Sequence, residues 1–303
     1  MKKWIGSLML LLAAIIWGFA FVAQSEGMNY VGPLTFNAVR YIIGAVVLIP
    51  FIFIEKNKRA AMRKENPECK GYTKKIIFAG IGCGIILTVA SLLQQYGILY
   101  TDSVGKAGFI TALYIVLVPV ANMLFGRRTK AIIWVSVAIA AIGLYLLCIK
   151  EGFKINAADI LLIACAVAFT GHIVFIDRFV EDGFGVTVSC IQFAFAGIVC
   201  LPFSVIFEHW TFTSVLNAWL PILYTGVLSC GVAYTFQILG QIHVEPTKAS
   251  LILCLESVFA TVGGWLILSQ NLSLREGIGC LVVFTAIILA QFSEKKEKEN
   301  APK

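Results

Sequence analysis

The sequence predicts an all-α membrane protein, in which ten transmembrane helices form two inverted repeats of five helices each. The prediction depends on the composition, on ten apolar runs along the chain and on a similarity between its two halves. Of the 303 residues, 59% are hydrophobic and 14% are charged, against roughly 25% charged residues in an ordinary soluble domain. The mean hydropathy is +0.88. This composition excludes a disordered chain, a secreted disulfide scaffold and a typical cytosolic enzyme.

Ten runs of mostly apolar residues follow one another along the chain, and each has about the 20 residues that a helix needs to cross a bilayer. The first run follows Met-Lys-Lys, as in a signal peptide, but no small-x-small cleavage site follows it in a polar context. We therefore interpret it as the first span. Gly and Pro residues at 32–33, 152 and 183–185 mark several of the gaps between runs. The predicted spans are 4–24, 33–54, 75–100, 105–125, 131–149, 157–176, 185–207, 214–240, 246–268 and 274–292.

The basic residues predict which side of the membrane each loop faces. If the N-terminus is cytoplasmic, nineteen of the 24 Lys and Arg residues lie inside, four lie outside, and Arg40 lies within the second run. An excess of Lys and Arg is typical of cytoplasmic loops, so we expect both termini in the cytoplasm. The net charge of +7 is then a topology signal. A basic face could bind RNA, but it carries no nucleic-acid motif, so we expect the lipid bilayer and not a nucleic acid as its partner.

The cysteines and the missing enzyme motifs predict a protein without a metal site or a cofactor. Eight of the nine cysteines lie in apolar runs, and none forms a C-x-x-C pair, so a metal or disulfide framework is not expected. The sequence has no Walker P-loop and no G-x-S-x-G or H-E-x-x-H motif. The chain therefore is not expected to hydrolyse ATP itself, and nothing in it implies an ATPase subunit.

The two halves of the chain are similar at two constant offsets. An offset of 152 aligns the ends of the second and seventh runs and pairs Arg40 with Gln192 and Trp17 with Phe169; an offset of 142 pairs Gln95 with Gln237 and Tyr114 with Glu256. Because five is odd, the second half begins on the opposite side of the membrane, and the repeats are inverted. Inverted repeats are typical of secondary transporters, whose substrate site lies near the bilayer midplane. The predicted units are a first repeat at 1–149 with a basic cytoplasmic loop at 55–74, a second repeat at 150–292, and a charged cytoplasmic tail at 293–303.

Short motifs in a fixed order connect the chain to a known family. They are Trp17-Gly18-Phe19-Ala20-Phe21-Val22, Arg40-Tyr41, Gly105-Lys106-Ala107-Gly108, Leu255-Glu256-Ser257-Val258 and Ile278-Gly279-Cys280. From Trp4 to Phe292 the chain resembles the ten-span EamA transporters of the drug/metabolite transporter (DMT) superfamily. It departs from them at Ser257, where the family usually has Pro, and after spans four and nine, where a Gly-Glu motif is usual. The resemblance implies a helical bundle in the plasma membrane, here a bacterial inner membrane. It also implies a central cavity lined by spans one, three, four, six, eight and nine.

Three ionisable residues lie well inside predicted spans, where charge is costly and therefore suggests function. Glu256 lies about ten residues into the ninth run, or about 15 Å along a helix, near the midplane. It could bind a cation or exchange a proton, or it could be a structural carboxylate, and its repeat partner is Tyr114. Arg40 is predicted to have a structural or gating role near the outer face, with contact to the substrate as the alternative. His172 is expected to be a neutral, hydrogen-bonded histidine, with a proton relay as the alternative.

Uncharged polar and aromatic residues complete the predicted cavity, because such sites combine apolar walls with a few polar groups. For each aromatic residue, helix packing or lipid contact is the alternative role. The candidates are Trp17, Phe21, Gln95, Tyr96, Tyr234 and Gln237.

The sequence thus favours a secondary transporter that moves a small organic metabolite, such as an amino acid, by alternating access. Export is preferred by family analogy alone, and the oligomeric state is left open. An uncoupled facilitator or a drug-efflux carrier of the same fold is the alternative. A different class, a membrane prenyltransferase, is suggested by the acidic segment from Asp177 to Asp182, but the second acidic motif of such enzymes is missing from the sequence. A receptor subunit is disfavoured because the chain lacks an attached soluble domain.

Overall fold

The computed structural model describes residues 2–65, 74–101, 104–127, 129–148, 156–180, 183–267 and 273–299. Within these ranges the chain forms helices joined by short turns and contains no strand. Residues 66–73 of the basic loop, Asp182 of the acidic segment and residues 300–303 of the tail lie outside the described residues. The helices are α1 Lys2–Gly27, α2 Pro33–Glu65, α3 Lys74–Tyr100, α4 Val104–Thr111, α5 Tyr114–Leu124, α6 Ala131–Cys148, α7 Ala157–Phe179, α8 Gly185–Phe207, α9 Phe212–Asn217, α10 Trp219–Leu223, a π-helix at Tyr224–Tyr234, α11 Thr235–Gln241, α12 Pro246–Leu253, α13 Leu255–Ile267 and α14 Leu274–Glu299.

The protein is a multi-pass membrane protein. Among the described residues, eight helical segments are long and apolar enough to cross a bilayer, and Ala131–Leu147 is a shorter apolar helix. Each of the ten predicted runs coincides with one helix or with a chain of consecutive helices. The total of ten crossings, the inversion of the repeats and the cytoplasmic termini stay predictions.

Several helices begin at sequence signals that satisfy their first backbone N–H groups. α7 begins with a capping box, in which the Asn156 side chain accepts from the Asp159 N–H and the Asp159 carboxylate accepts from the Asn156 N–H. α12 begins with Pro246 at its first turn, where the missing N–H has no cost. Gly183, in the turn between α7 and α8, has a φ of 84°, which favours glycine.

Three of the predicted spans are interrupted helices. Residues Ala112 and Leu113 separate α4 from α5, and Cys254 separates α12 from α13. Backbone bonds at both breaks span three residues, as from the Leu113 N–H to the Ile110 carbonyl and from the Ser257 N–H to the Cys254 carbonyl, so the chain tightens locally into 3₁₀ geometry. The eighth run is divided into α9, α10, the π-helix and α11. The breaks in the fourth and ninth runs lie at buried positions, since Ala112 and Cys254 are fully buried.

Two helix pairs flank the central helices. α2 packs against α8 along its length, with the Tyr41 and Phe193 rings stacked at 5.7 Å. α6 packs against α14, where Gly143 and Gly279 each lie against the backbone of the other helix. The group between these pairs consists of α1, α3, α4, α5, α7, the π-helix and α11 to α13. Together with Arg40 of α2, this central group encloses a cavity.

Candidate functional site

A small cavity lies among the central helices and is bounded by residues from both halves of the chain. Its volume is about 30 Å³, which is room for about two water molecules. An organic metabolite is larger than this volume, so the walls of the cavity would have to move apart for such a ligand to enter. The lining residues are Trp17, Ala20, Phe21, Gln24, Arg40, Gln94, Thr111, Tyr114, Phe169, Ile173, Ser229, Tyr234, Gln237, Leu253 and Glu256.

A carboxylate and a phenol meet at this cavity. The Tyr114 hydroxyl donates to Oε1 of Glu256 at 2.8 Å, and both side chains are buried. Tyr114 is the first residue after the break between α4 and α5, and Glu256 is the second residue after the break between α12 and α13. The two helix breaks therefore bring a residue from each half of the chain to one point in the cavity wall.

A guanidinium group lies in the same wall. Nη1 of Arg40 donates to Oε1 of Gln24 at 2.8 Å, and Nη2 donates to the Tyr41 hydroxyl at 3.2 Å. The guanidinium also lies over the Phe36 and Tyr41 rings, 5.6 and 4.8 Å from their centroids, within the range of cation–π attraction. Arginine stays protonated in proteins, so the cavity has one permanently cationic wall.

Aromatic side chains form the apolar part of the wall. Trp17 and Tyr234 meet edge to face, with centroids 4.6 Å apart, an arrangement that aromatic pairs prefer. Phe21 and Phe169 complete this part of the lining. Trp17 and Phe169, which the sequence pairs at an offset of 152, therefore face the same cavity.

Some polar atoms of the lining have no hydrogen-bond partner among the described residues. They are Nε1 of Trp17, Nε of Arg40, Oγ1 of Thr111 and Oε1 of Gln237. Buried polar groups are nearly always paired in native structures. Two N–H donors, one amide oxygen and one hydroxyl are thus available to a bound ligand, beside the Glu256 carboxylate.

Three predicted residues lie outside this cavity wall. Gln95 is fully buried, and neither its amide nitrogen nor its oxygen has a partner among the described residues. Tyr96 is half-buried and stacks on Tyr100, with centroids 6.4 Å apart. His172 is fully buried, and its Nε2 lies 3.0 Å from Oε1 of Gln192. Its ring meets the Tyr234 ring edge to face, with centroids 6.2 Å apart. The other predicted residues, Trp17, Phe21, Tyr114, Tyr234, Gln237 and Glu256, all line the cavity, and so does Arg40.

The structure adds polar residues that the sequence does not single out, namely Gln24, Gln94, Thr111 and Ser229. Gln24 is the last residue of the first predicted run, where a polar residue is expected as a helix end. Ser229 lies within the π-helix. Only Gln94 has a signal in the sequence, because it is adjacent to Gln95 and only one of two neighbours on a helix can face a cavity squarely.

The structure describes residues 177–180 of the acidic segment that suggests a prenyltransferase. Asp177 forms an ion pair with Arg127 at 2.5 Å, whereas Asp182 lies outside the described residues. In the described part of the chain, no group of three or more His, Cys, Asp or Glu side chains is arranged to hold a metal ion.

Comparison with known proteins supports one family. The model of the EamA-like transporter family matches residues 4–149 and 156–292. An uncharacterized transporter of Archaeoglobus fulgidus is 28% identical over 95% of this chain and 86% of its own length. The uncharacterized transporter YoaV of Bacillus subtilis is 25% identical over 94% and 96%. The uncharacterized inner membrane transporter YicL of Salmonella typhimurium is 24% identical over 98% of both chains.

A solved crystal structure has the same fold. It superposes with a TM-score of 0.75 over 96% of this chain and 98% of its own, at 17% identity. The family model matches nearly the whole chain in two consecutive ranges. The chain therefore belongs to the EamA-like transporter family of the DMT superfamily.

Proposed function

We propose that this protein is a secondary transporter that carries a small organic metabolite across the bacterial inner membrane by alternating access. The observation that carries the proposal is the cavity between the two halves of the chain, whose wall contains the Arg40 guanidinium and the Glu256 carboxylate. The matched ranges 4–149 and 156–292 correspond to the two repeats and support their duplication. Ten spans with both termini in the cytoplasm are part of the proposal.

The cavity wall favours a ligand that carries both a negative and a positive group. Arg40 can donate to a carboxylate, since its Nε has no partner among the described residues, and such charge-assisted bonds are strong. Glu256 can accept from an ammonium group, because among the described residues Tyr114 alone donates to its side chain. Trp17, Phe21 and Phe169 offer apolar surface beside these groups. An amino acid or a related zwitterion fits this chemistry.

Uptake of a panel of metabolites into proteoliposomes tests the proposal. A true substrate should also stabilise the purified protein in detergent, by about 2.7 kcal/mol at 100 times its Kd. We expect Arg40→Gln to weaken binding of a zwitterion by about 10- to 100-fold, since a hydrogen bond to a charged group contributes about 1.5–3 kcal/mol. Tyr96→Phe is the matched control, because Tyr96 does not line the cavity. If no metabolite in the panel is carried, or if both variants behave like the wild type, the proposed site is wrong.

The coupling of transport is a second proposal at the same site. Glu256 is a candidate for binding and releasing a proton, with His172 as a candidate relay partner behind Tyr234. Uptake should then respond to a pH gradient across the vesicle membrane, and Glu256→Gln should abolish that response. If uptake is equal with and without the gradient, the protein is an uncoupled facilitator.

The direction of transport and the class of cargo distinguish a metabolite exporter from a drug-efflux carrier and from an enzyme. Export is proposed from family analogy, so cells that lack the protein should accumulate its substrate. A drug-efflux carrier would instead lower the toxicity of lipophilic cations and leave the transport of zwitterions at background. A magnesium-dependent transferase activity that is lost in Asp177→Asn would favour a membrane prenyltransferase.

A further inference from the structure

Two glutamates cap the first turns of α2 and α8, and each comes from the opposite half of the chain. Glu208 accepts from the Leu34 and Thr35 N–H groups, both at 2.8 Å, and from the Thr35 hydroxyl at 2.7 Å. Glu55 accepts from the Val186 and Thr187 N–H groups at 3.0 and 3.3 Å. It also accepts from the Thr187 hydroxyl at 3.0 Å. We name these contacts the Glu208 cap and the Glu55 cap.

The two caps are equivalent under the repeat. Thr35 and Thr187 are 152 residues apart, which is the offset that relates Arg40 to Gln192. A carboxylate at a helix N-terminus is stabilised both by the free N–H groups and by the helix dipole. With the proposed topology, the Glu208 cap lies at the outer face and the Glu55 cap at the cytoplasmic face.

An apolar cluster adjoins each cap. Next to the Glu208 cap, Phe36 and Val31 pack with Ala218 and Ile222. Next to the Glu55 cap, the cluster contains Ile76, Ala79, Cys83, Ile176, Phe184, Val188 and Ile238. Phe36 and Val188 again differ by 152. A capped helix end and an apolar cluster thus lie together at the start of α2 and again at the start of α8.

Buried polar residues without partners among the described residues follow the capped turns on the same two helices. On α2, Asn37 is fully buried, and neither polar atom of its side chain has a partner among the described residues. On α8, Ser189 is also fully buried, and its hydroxyl has no partner there. These two residues are 152 apart. One turn further along each helix, Arg40 contacts Gln24 and Gln192 contacts His172.

Such an arrangement is unfavourable in a closed protein, since buried polar groups are rarely left unpaired. It is favourable if water or a polar solute reaches Asn37 and Ser189 in other conformations. We propose that the first turns of α2 and α8 are the outer and the cytoplasmic gates of the transport path. In this proposal the Glu208 cap and the Glu55 cap hold the gates shut, and Asn37 and Ser189 line the path behind them. The inference rests on the proposed alternating access.

Thiol labelling in membrane vesicles tests the gates without a known substrate. Asn37→Cys or Ser189→Cys is introduced into the full chain after the nine native cysteines are replaced by alanine. The labelling rate is measured with a membrane-impermeant maleimide in right-side-out and inside-out vesicles. We expect Glu208→Gln to accelerate labelling at position 37 from the outside by about fivefold, because a neutral acceptor forms a weaker hydrogen bond than a carboxylate. Glu55→Gln should accelerate labelling at position 189 from the inside by a similar factor.

Each substitution is the control for the other. Glu208→Gln should change the labelling rate at position 189 by less than twofold relative to the protein with both glutamates intact. Glu55→Gln should likewise change the labelling rate at position 37 by less than twofold. Equal acceleration at both positions would mean general loosening, and no acceleration would mean that the caps do not control access; either result overturns the proposal. Labelling needs no substrate, so the two proposals can fail separately. If labelling responds as expected but no metabolite of the panel is taken up, only the proposed cargo is contradicted. Normal uptake with unresponsive labelling would contradict only the gates.

The cysteine-free background has its own control. Its elution profile in detergent must match that of the wild type. Glu208→Gln and Glu55→Gln in the unmodified chain provide a second measurement, in which digestion by an impermeant protease should increase only at the face of the substituted cap. Increased digestion at the opposite face would again overturn the assignment of the gates.

Discussion

The hydrogen bond between Tyr114 and Glu256 joins the two halves of the chain at a single pair of atoms. We predict that Tyr114→Phe destabilises the protein, because it leaves a buried carboxylate without its donor, at a cost of about 1–3 kcal/mol. The melting temperature in detergent should fall by several degrees. Tyr96→Phe is the control, since Tyr96 is half-buried and stacks on Tyr100 outside the cavity. Equal melting temperatures for the two variants would contradict the importance of this contact.

Individual residues are predictable from the sequence where a single property decides the position. Glu256 is conspicuous because a carboxylate is rare in an apolar run, and it lines the cavity as expected. Gln94 and Gln95 differ by one position, or about 100° around a helix, and the sequence alone does not determine the rotation of α3. The cavity contains Gln94, whereas the repeat favours Gln95. The sequence places Arg40 near the outer face. Its side chain reaches the cavity wall while it contacts Gln24 and Tyr41, and no sequence pattern predicts these two contacts.

At the scale of elements, a glycine controls the distance between α1 and α13. A Cβ atom on Gly18 would overlap the backbone of Phe259 and Ala260. We predict that Gly18→Ala destabilises the protein by about 1–3 kcal/mol through overpacking. It should also displace α1, which carries Trp17 and Phe21 in the cavity wall.

A matched control lies on α7. Apart from its chain neighbours and the backbone of its own helix, no atom of the described residues lies within 4 Å of an ideal Cβ on Gly171. Gly171→Ala should therefore be neutral, or stabilising by up to about 1 kcal/mol from helix propensity. Thermal unfolding in detergent compares the two variants. A Gly18→Ala variant as stable as Gly171→Ala would show that α1 and α13 can separate freely.

The elements are predictable to the extent that apolar length predicts them. Each predicted run falls on helix because about 20 apolar residues have few other conformations open to them in a bilayer, where backbone groups must pair internally. The interruptions are not predictable in this way. Neither Ala112–Leu113 nor Cys254 contains Gly or Pro, which are the residues that usually signal a break. The π-helix at Tyr224–Tyr234 pairs backbone groups five residues apart instead of four, and its eleven residues are too few to show the difference in apolar periodicity.

At the scale of the whole molecule, the distribution of basic residues leads to a prediction about topology. If the chain crosses the membrane ten times, with the nineteen basic residues in cytoplasmic segments as the sequence predicts, both termini lie in the cytoplasm. A fluorescent protein that matures only in the cytoplasm should therefore be bright when fused to either end. An alkaline phosphatase, active only outside, should be inactive at both ends.

The control for topology is an internal fusion. A phosphatase inserted after Glu208, in the connection between α8 and α9, should be active because that connection is predicted to face outside. An active phosphatase at the C-terminus, together with a bright fluorescent protein at the N-terminus, would imply an odd number of spans. That result would remove the inverted repeat and the two-sided gates with it.

The Glu208 cap also has a consequence for biosynthesis. Leu34 and Glu208 are 174 residues apart, so at about 5–20 residues per second the carboxylate follows the helix it caps by roughly 9–35 seconds. The Glu55 cap has the opposite order, since its carboxylate is made before the helix that it caps. The first half of the chain therefore enters the membrane with one helix end uncapped and one carboxylate unused, and only synthesis of α8 completes both contacts. A ribosome stalled before α8 would leave a half-made protein whose two surfaces can be closed only by the missing half.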